Sequence, residues 1–238
     1  ALVDTAHYVT QLHTDPRLDL TYLFDGIDTV IDDEDAPDLD KGAAEKRIAE
    51  ADSIIVNGRS GNLEVALRAA GSINPFAKIL ANGKDLSEPH SIKPVRIMGN
   101  HDLNRVIGGT CLVNNLFNDN QTNQPAPDAG VIRAMQAEIP GVTDIQRLFS
   151  LLQELREQLG KNLLRLRCTT HIRNGDYPIG FQMVGSSWTP PFYETDQGDA
   201  KTRLRIVARG LDAEAVFDQL RSCVWGDDDV MSRRIPLF

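Results

Sequence analysis

The sequence predicts an α/β fold: a parallel sheet flanked by helices, followed by a small α+β domain. Short β-branched runs alternate with helix-forming segments in the first third of the chain, which is typical of a parallel sheet. Strands with alternating apolar and polar residues dominate after residue 130. Between them lies a long stretch rich in Asn, Gly, Asp and Pro. We therefore expect a first domain, a linker, a second domain and a tail, at residues 1–88, 89–128, 129–225 and 226–238.

The first domain is predicted to alternate strand and helix. A β-branched run at 26–31 indicates a buried strand, and an acidic loop follows at 32–40. Ala, Glu and Lys then favour a helix, and Asn62 and Gly71 are a plausible N-cap and C-terminal stop for the next one. The predicted elements are helices at 41–51 and 62–70 and strands at 53–57 and 77–80.

The second domain is predicted to follow the order βαβββα. Its clearest helix spans 143–159, with Thr143 and Gln146 as a capping box and a leucine stripe that must be buried. Asn174-Gly175 indicates a tight two-residue hairpin turn, and Asp212 caps the last helix. The predicted strands are 131–139, 164–172, 179–184 and 202–208, and the last helix runs from 212 to 224.

Composition limits the partners and the compartment. The net charge of -9 argues against nucleic-acid and anionic-membrane partners. Cys111, Cys168 and Cys223 are odd in number and widely spaced, which fits a reducing cytoplasm better than a disulfide framework. No apolar stretch reaches the roughly 20 residues that span a bilayer. Because the sequence begins at Ala1 rather than Met, we expect a fragment or a processed product.

Two stretches of the first domain resemble the CobW family of GTP-dependent metal chaperones. Residues 23–32, LFDGIDTVID, are similar to the family's strand that begins tyrosine-arginine-leucine-aspartate-glycine and ends in valine-aspartate, and upstream Leu2 and Asp4 resemble the residues after its switch. Residues 48–57, IAEADSIIVN, resemble the approach to the family's guanine-recognition loop. The resemblance therefore implies a partial P-loop-type nucleotide-binding domain.

The loop itself departs from the family's asparagine-lysine-threonine-aspartate. It reads Asn57, Gly58, Arg59 and Ser60, so the carboxylate that accepts from the guanine edge is replaced by a hydroxyl. The sequence also contains no G-x-x-x-x-G-K-[ST] phosphate loop and no cysteine-x-cysteine-cysteine metal motif. We interpret 57–62 as a degenerate guanine-recognition loop in which Asn57 is the retained nucleotide-binding residue, or as an ordinary glycine-rich turn.

The second domain resembles the family's C-terminal domain over about a hundred residues. Residues 163–167, LLRLR, are similar to its leucine-leucine-arginine-x-lysine strand, although the lysine-glycine pair has become Arg167-Cys168. Phe181-Gln182-x-Val184 and residues 203–211 resemble its next strands.

The resemblance implies a P-loop GTPase that uses GTP and Mg²⁺ and delivers a divalent metal, zinc or cobalt, to a client protein. Because phosphoryl transfer depends on the phosphate loop, we expect no GTP hydrolysis by this chain alone. Catalytic residues and metal ligands stay unassigned. The alternative from another class is a non-catalytic module that binds a partner.

Other constellations indicate further possibilities. MGNHD at 98–102 resembles the Gly-Asn-His-Asp turn of metal-dependent phosphoesterases, without their other ligand motifs, and otherwise is a polar turn. The acidic run at 32–40 could attract a hard cation but is more typical of a solvated loop. Three histidines and one cysteine are either ligands of a soft-metal site or, respectively, exposed side chains and a buried structural thiol: His90, His101, His171 and Cys111.

Four arginines alternate with apolar residues on two predicted strands. If these strands are neighbours, the arginines share an open sheet face, which is either an anion-facing partner surface or a solvated face. The partner-binding candidates are Arg165, Arg167, Arg203 and Arg205. A parallel sheet without its first strands would also leave an exposed edge, through which self-association is possible.

Overall fold

The computed structural model describes seven stretches with their side chains, except those of residues 6, 13 and 14, together with the backbone of 84–85 and 96–97. These stretches are 5–15, 26–81, 131–173, 175–185, 187–189, 191–194 and 199–225. The 98–102 motif with His101, the residues His90 and Cys111, and the tail at 226–238 lie outside them. Most of the predicted linker lies outside them as well.

The first sheet has four strands in the order β1-β2-β3-β4. The strands are β1 (Asp28–Asp32), β2 (Ser53–Asn57), β3 (Lys78–Ala81) and β4 (Lys84–Asp85). The first three are parallel, and β4 turns back antiparallel to β3. Helices α2 (Gly42–Glu50) and α3 (Leu63–Ile73) accompany them, with a 3₁₀ turn at Asp33–Asp38. Helix α1 (Thr5–Thr14) instead contacts the second sheet, where Thr10 is hydrogen-bonded to Ser187.

Among the described residues, one face of this sheet belongs to a hydrophobic core. The buried face carries Ile31, Ile54 and Val56, which pack with α2 and α3. The opposite face presents Val30, Ile55 and Leu80 in register across the three parallel strands, and Val30 is 55% exposed.

The second sheet is antiparallel throughout, with the path β5-β10-β8-β7-β11-β6 and β9 paired to β8. Helices α4 (Ile145–Leu159) and α5 (Ala213–Cys223) cover one of its faces. Two residues of the predicted linker, Arg96–Ile97, form the edge strand β5. The other strands are β6 (Ile132–Pro140), β7 (Leu163–Thr170), β8 (Ile179–Val184), β9 (Ser187–Trp188), β10 (Phe192–Tyr193) and β11 (Lys201–Arg209).

The leucine stripe of α4 is buried as predicted, but the predicted capping box is wrong. Asp144 is the N-cap, and its carboxylate accepts from the backbone N–H groups of Gln146 and Arg147. Thr143 is instead buried, in a hydroxyl cluster with Thr170 and Thr202. A carboxylate one residue later reaches the free amides better, which frees the threonine for the core.

The tight turn predicted at Asn174-Gly175 is also wrong. The last pair of the β7–β8 ladder is Thr170 with Ile179, so residues 171–178 form the connection. Asn174 lies outside the described residues. The chain leaves the ladder early because Ile172 pairs with Thr143 instead of continuing β7.

Helices α2 and α3 lie between the two sheets. Leu164 of β7 and Val207 of β11 belong to the same buried cluster as Ile48 and Ile54 of the first unit. The predicted fold class, a parallel-sheet unit followed by an α+β unit, is confirmed by this arrangement. No helix in the described ranges combines the length and apolarity needed to cross a bilayer.

Candidate functional site

The loop at 57–62 joins the carboxyl end of β2 to the amino end of α3. Asn57 is the last residue of β2, and its side-chain amide donates to Asp32 Oδ1 at 3.2 Å. Asp32 ends β1, so this bond ties together the carboxyl ends of two parallel strands. The strand-to-helix turn predicted from the sequence is confirmed in its geometry.

The amide groups of this loop converge on the Asp33 carboxylate. Oδ1 accepts from the N–H of Arg59 at 2.8 Å and of Ser60 at 3.0 Å. Oδ2 accepts from Ser60, Gly61 and Asn62 at 3.0–3.1 Å. The side chain thereby fills the concave group of donors at the start of α3, where the helix dipole also favours negative charge.

The interpretation of the acidic run at 32–40 as a solvated loop is wrong for Asp33. It is 0% exposed although its neighbours Glu34 and Asp35 are exposed. Hydrogen bonds from the backbone of Arg59 above all, opposed by burial and assisted by Ser60 and Asn62, lower the pKa of Asp33 from 3.8 to about 2. A sequence signal existed: the carboxyl ends of adjacent parallel strands share an edge, so an Asp just after β1 can reach the helix that follows β2.

The residues present do not fit a guanine nucleotide at this loop. The backbone donors from Arg59 to Asn62 are already bonded to Asp33, and the position of the base-reading carboxylate is held by Ser60. A guanine placed here would leave its edge N–H groups without a charged acceptor, which costs binding selectivity.

Arg165 does not lie on an open face as expected. It is 6% exposed, and its Nη2 donates to Asp52 Oδ1 at 2.6 Å and to Gln182 Oε1 at 3.0 Å. Asp52 belongs to the first unit, just before β2. The expectation of an open face fails here because the first unit packs over this part of the second sheet.

The other three candidate arginines do lie together on one face. Arg167 and Arg205 are direct cross-strand partners, and Arg203 is two residues along β11. Arg167 and Arg203 pair with Glu194 and Glu138, at 2.8 and 2.6 Å. Their partner-binding role stays a prediction.

No metal site is built by the part of the chain that the structure describes. No group of three or more His, Cys, Asp or Glu side chains there could hold an ion. Cys168 and Cys223 are buried, and burial raises the pKa of both thiols, which opposes the thiolate form that binds metal. His171 Nδ1 faces the backbone of Lys201 at 3.3 Å. A zinc or cobalt site therefore does not fit these residues.

Known proteins share both the C-terminal domain and the overall fold of this chain. Residues 132–224 match the family described as the cobalamin synthesis protein cobW C-terminal domain. Two solved structures share the fold: the Zn(II)-bound YjiA GTPase from E. coli, with a TM-score of 0.59, and a Zn(II)-bound triple mutant of YjiA, with 0.61. Each is 16% identical, and the match covers 94% of this chain and 69% of the other. No curated protein matches in sequence.

The fold and the loop define an α/β protein in which a helix-covered parallel sheet carries an antiparallel C-terminal domain. Residues 132–224 carry a CobW C-terminal domain, and the chain shares the fold of the two YjiA structures. The resemblance stated from the residues alone is thereby confirmed.

Proposed function

We propose that this polypeptide is a non-hydrolysing component of CobW-type, GTP-linked delivery of zinc or cobalt, and that it contacts the client protein. The observation that supports a lack of guanine binding at the 57–62 loop is the Asp33 carboxylate, which holds the loop donors from Arg59 to Asn62, while Ser60 stands in place of the base-reading carboxylate. These four backbone N–H groups are bonded to the chain's own carboxylate and are therefore not available to a ligand.

Support for the GTP and metal connection comes from the relatives. YjiA is named a GTPase and was solved with Zn(II) bound. The described residues of this chain supply neither a nucleotide loop that fits guanine nor a metal-binding group. We therefore assign nucleotide turnover and metal loading to a phosphate-loop-bearing unit, and client contact to this chain.

A titration of a fluorescent guanine nucleotide with Mg²⁺ tests the proposal on the polypeptide of 238 residues. We expect no saturable binding below about 1 mM, which corresponds to a binding free energy weaker than about -4 kcal/mol. YjiA serves as the positive control. Micromolar affinity accompanied by phosphate release would overturn the proposal.

A variant at Asp33 distinguishes a loop that is merely blocked by this carboxylate from a loop that lacks the residues to recognise guanine. In Asp33→Ala the amides from Arg59 to Asn62 lose their internal acceptor, but Ser60 still stands where the base-reading carboxylate belongs. We expect this variant to show no preference for GTP over ATP. A GTP preference that appears only in Asp33→Ala would show that Asp33 blocks an otherwise competent site, which contradicts the proposed degenerate loop.

A further inference from the structure

Two arginines oppose each other directly on the exposed part of the second sheet. Arg167 of β7 and Arg205 of β11 are register partners, and Arg203 follows two residues along β11 on the same face. The side chains of Arg167 and Arg203 are 43% and 36% exposed. Like charges directly opposite each other destabilise a ladder, so the chain carries this pair at a cost.

Aromatic rings hold the two opposing guanidinium groups in place. Arg167 Cζ lies 5.4 Å from the centre of the Phe192 ring, and Arg205 Cζ lies 5.6 Å from the centre of the Phe76 ring. Such stacking orients the guanidinium plane while leaving N–H groups at its edge for hydrogen bonds. A ligand that binds both arginines would therefore lose less side-chain entropy on association.

The local charge of this face is positive in a chain whose net charge is -9. Among the described residues, the carboxylates Glu138 and Glu194 pair with three of its four cations, Lys201, Arg203 and Arg167. The contacts of Arg205 in the described structure are to neutral groups, Gln136 Oε1 at 3.0 Å and the Phe76 ring.

The surroundings of Arg205 show the same excess of positive charge. Burial lowers the pKa of Arg205, and the neighbouring Arg203 and Arg167 lower it further, against a weaker opposing effect of Glu138. An anion bound between Arg205 and Arg167 would relieve this repulsion.

We propose that Arg167, Arg203 and Arg205 form a docking surface for an acidic peptide segment of a partner protein. Carboxylates match guanidinium groups through paired, charge-assisted hydrogen bonds. The surface is a short row of three arginines rather than a long basic track, which suits a peptide with a few carboxylates. The chain's net charge of -9 repels a densely charged polyphosphate more strongly than such a peptide, which favours the peptide over nucleic acid. The inference does not rest on GTP or metal binding by this chain.

A labelled synthetic peptide tests the surface. The probe is a fluorescent decapeptide in which Glu alternates with Gly, and its matched control has Gln at every Glu position. We expect saturable, salt-sensitive binding of the Glu peptide, measured by fluorescence anisotropy, and binding of the Gln peptide at least about tenfold weaker.

Charge-removing variants locate the binding site. Arg167→Gln and Arg205→Gln are each expected to weaken binding about tenfold, whereas Arg68→Gln, an exposed arginine of α3, should leave it within about twofold. Thermal unfolding provides the folding check. Arg205→Gln should be at least as stable as the parent, because the variant removes repulsion across the ladder.

Three outcomes would overturn the proposal. The first is absence of saturable binding of the Glu peptide by the folded parent chain. The second is an equal loss in Arg68→Gln, which would show a diffuse charge effect. The third is tighter binding of a labelled single-stranded DNA of the same length, which would identify a nucleic-acid surface instead.

Discussion

Arg165 of the antiparallel sheet is hydrogen-bonded to Asp52 at the amino end of β2, with Nη2 and Oδ1 2.6 Å apart. The other carboxylate oxygen of Asp52 accepts from the N–H of Ile27 at 2.9 Å, just before β1, and its backbone carbonyl accepts from the N–H of Lys78 at the start of β3. One aspartate thus joins the amino ends of three parallel strands and ties them to the second sheet. A second ion pair, Arg209 with Glu45, spans the same boundary at 2.5 Å.

The first prediction is that Asp52 and Arg165 are energetically coupled. In a double-mutant cycle with Asp52→Asn and Arg165→Met, we expect a coupling energy of about 1–3 kcal/mol in the free energy of unfolding, because Arg165 is buried and has few other acceptors. The exposed pair Glu64 and Arg68 is the control and should give about 0.3–0.5 kcal/mol. Urea denaturation measures both cycles, and equal coupling in the two pairs would contradict the prediction.

The second prediction concerns acid stability. The pKa of Asp33 is lowered from 3.8 to about 2, so its stabilising contribution is complete above about pH 4 and is lost as the pH falls towards 2. Asp33→Asn should therefore have a lower urea midpoint than the parent at pH 7, and the two midpoints should converge near pH 2. Asp38→Asn removes an exposed carboxylate of the same turn and should have little effect. A pH-independent difference for Asp33→Asn would argue against a charge effect.

Much of the fold follows from local pattern. Alternating side chains predicted β7, β8 and β11, and the three- and four-residue leucine spacing predicted α4, because one face of each must be buried. The two-residue strands β9 and β10 were not predicted, since so few residues show no period and are fixed only by pairing with β8. The same is true of β5.

The candidate site could be predicted only in part. The glycine of the loop at 57–62 and its place after a strand predict the loop itself. They do not predict that the Asp33 carboxylate accepts from its amides, because an acidic run is usually solvated. Only the proximity of two strand ends in the fold distinguishes Asp33 from the neighbouring carboxylates. The sequence predicts that Arg165 and Arg167 share a sheet face, because side chains two residues apart in a strand point to the same side. Alternation does not say what packs over that face, which here is the first unit.

The third prediction concerns self-association through β1, which is the outermost strand of the first sheet within the described ranges. Val30 is 55% exposed, while Asp28 and Asp32 on the same strand face are also exposed and would oppose their counterparts in an antiparallel β1–β1 pair. We therefore expect association to be weak at low salt and to increase as salt screens this repulsion. Sedimentation velocity should show that Val30→Asp abolishes it.

A matched exposed valine controls this experiment. Val65 on α3 is 58% exposed and away from the strand edge. Val65→Asp should leave the sedimentation coefficient unchanged at every salt concentration. If both substitutions reduced association equally, the edge of β1 would not be the contact.

The last prediction uses two glycines whose surroundings differ. Gly180 of β8 faces its cross-strand partner Phe192, and a Cβ built there would lie 2.2 Å from the ring, so the ring must move. Gly180→Ala should therefore lower the free energy of unfolding by about 1–3 kcal/mol. Gly71 lies within α3 with the nearest atom, Ile79 Cδ1, 3.7 Å from the added Cβ, so Gly71→Ala should raise it by about 0.5–1 kcal/mol through lower entropy of the unfolded chain. Urea denaturation distinguishes the two, and a stabilising Gly180→Ala would show that the ring of Phe192 does not pack on this glycine.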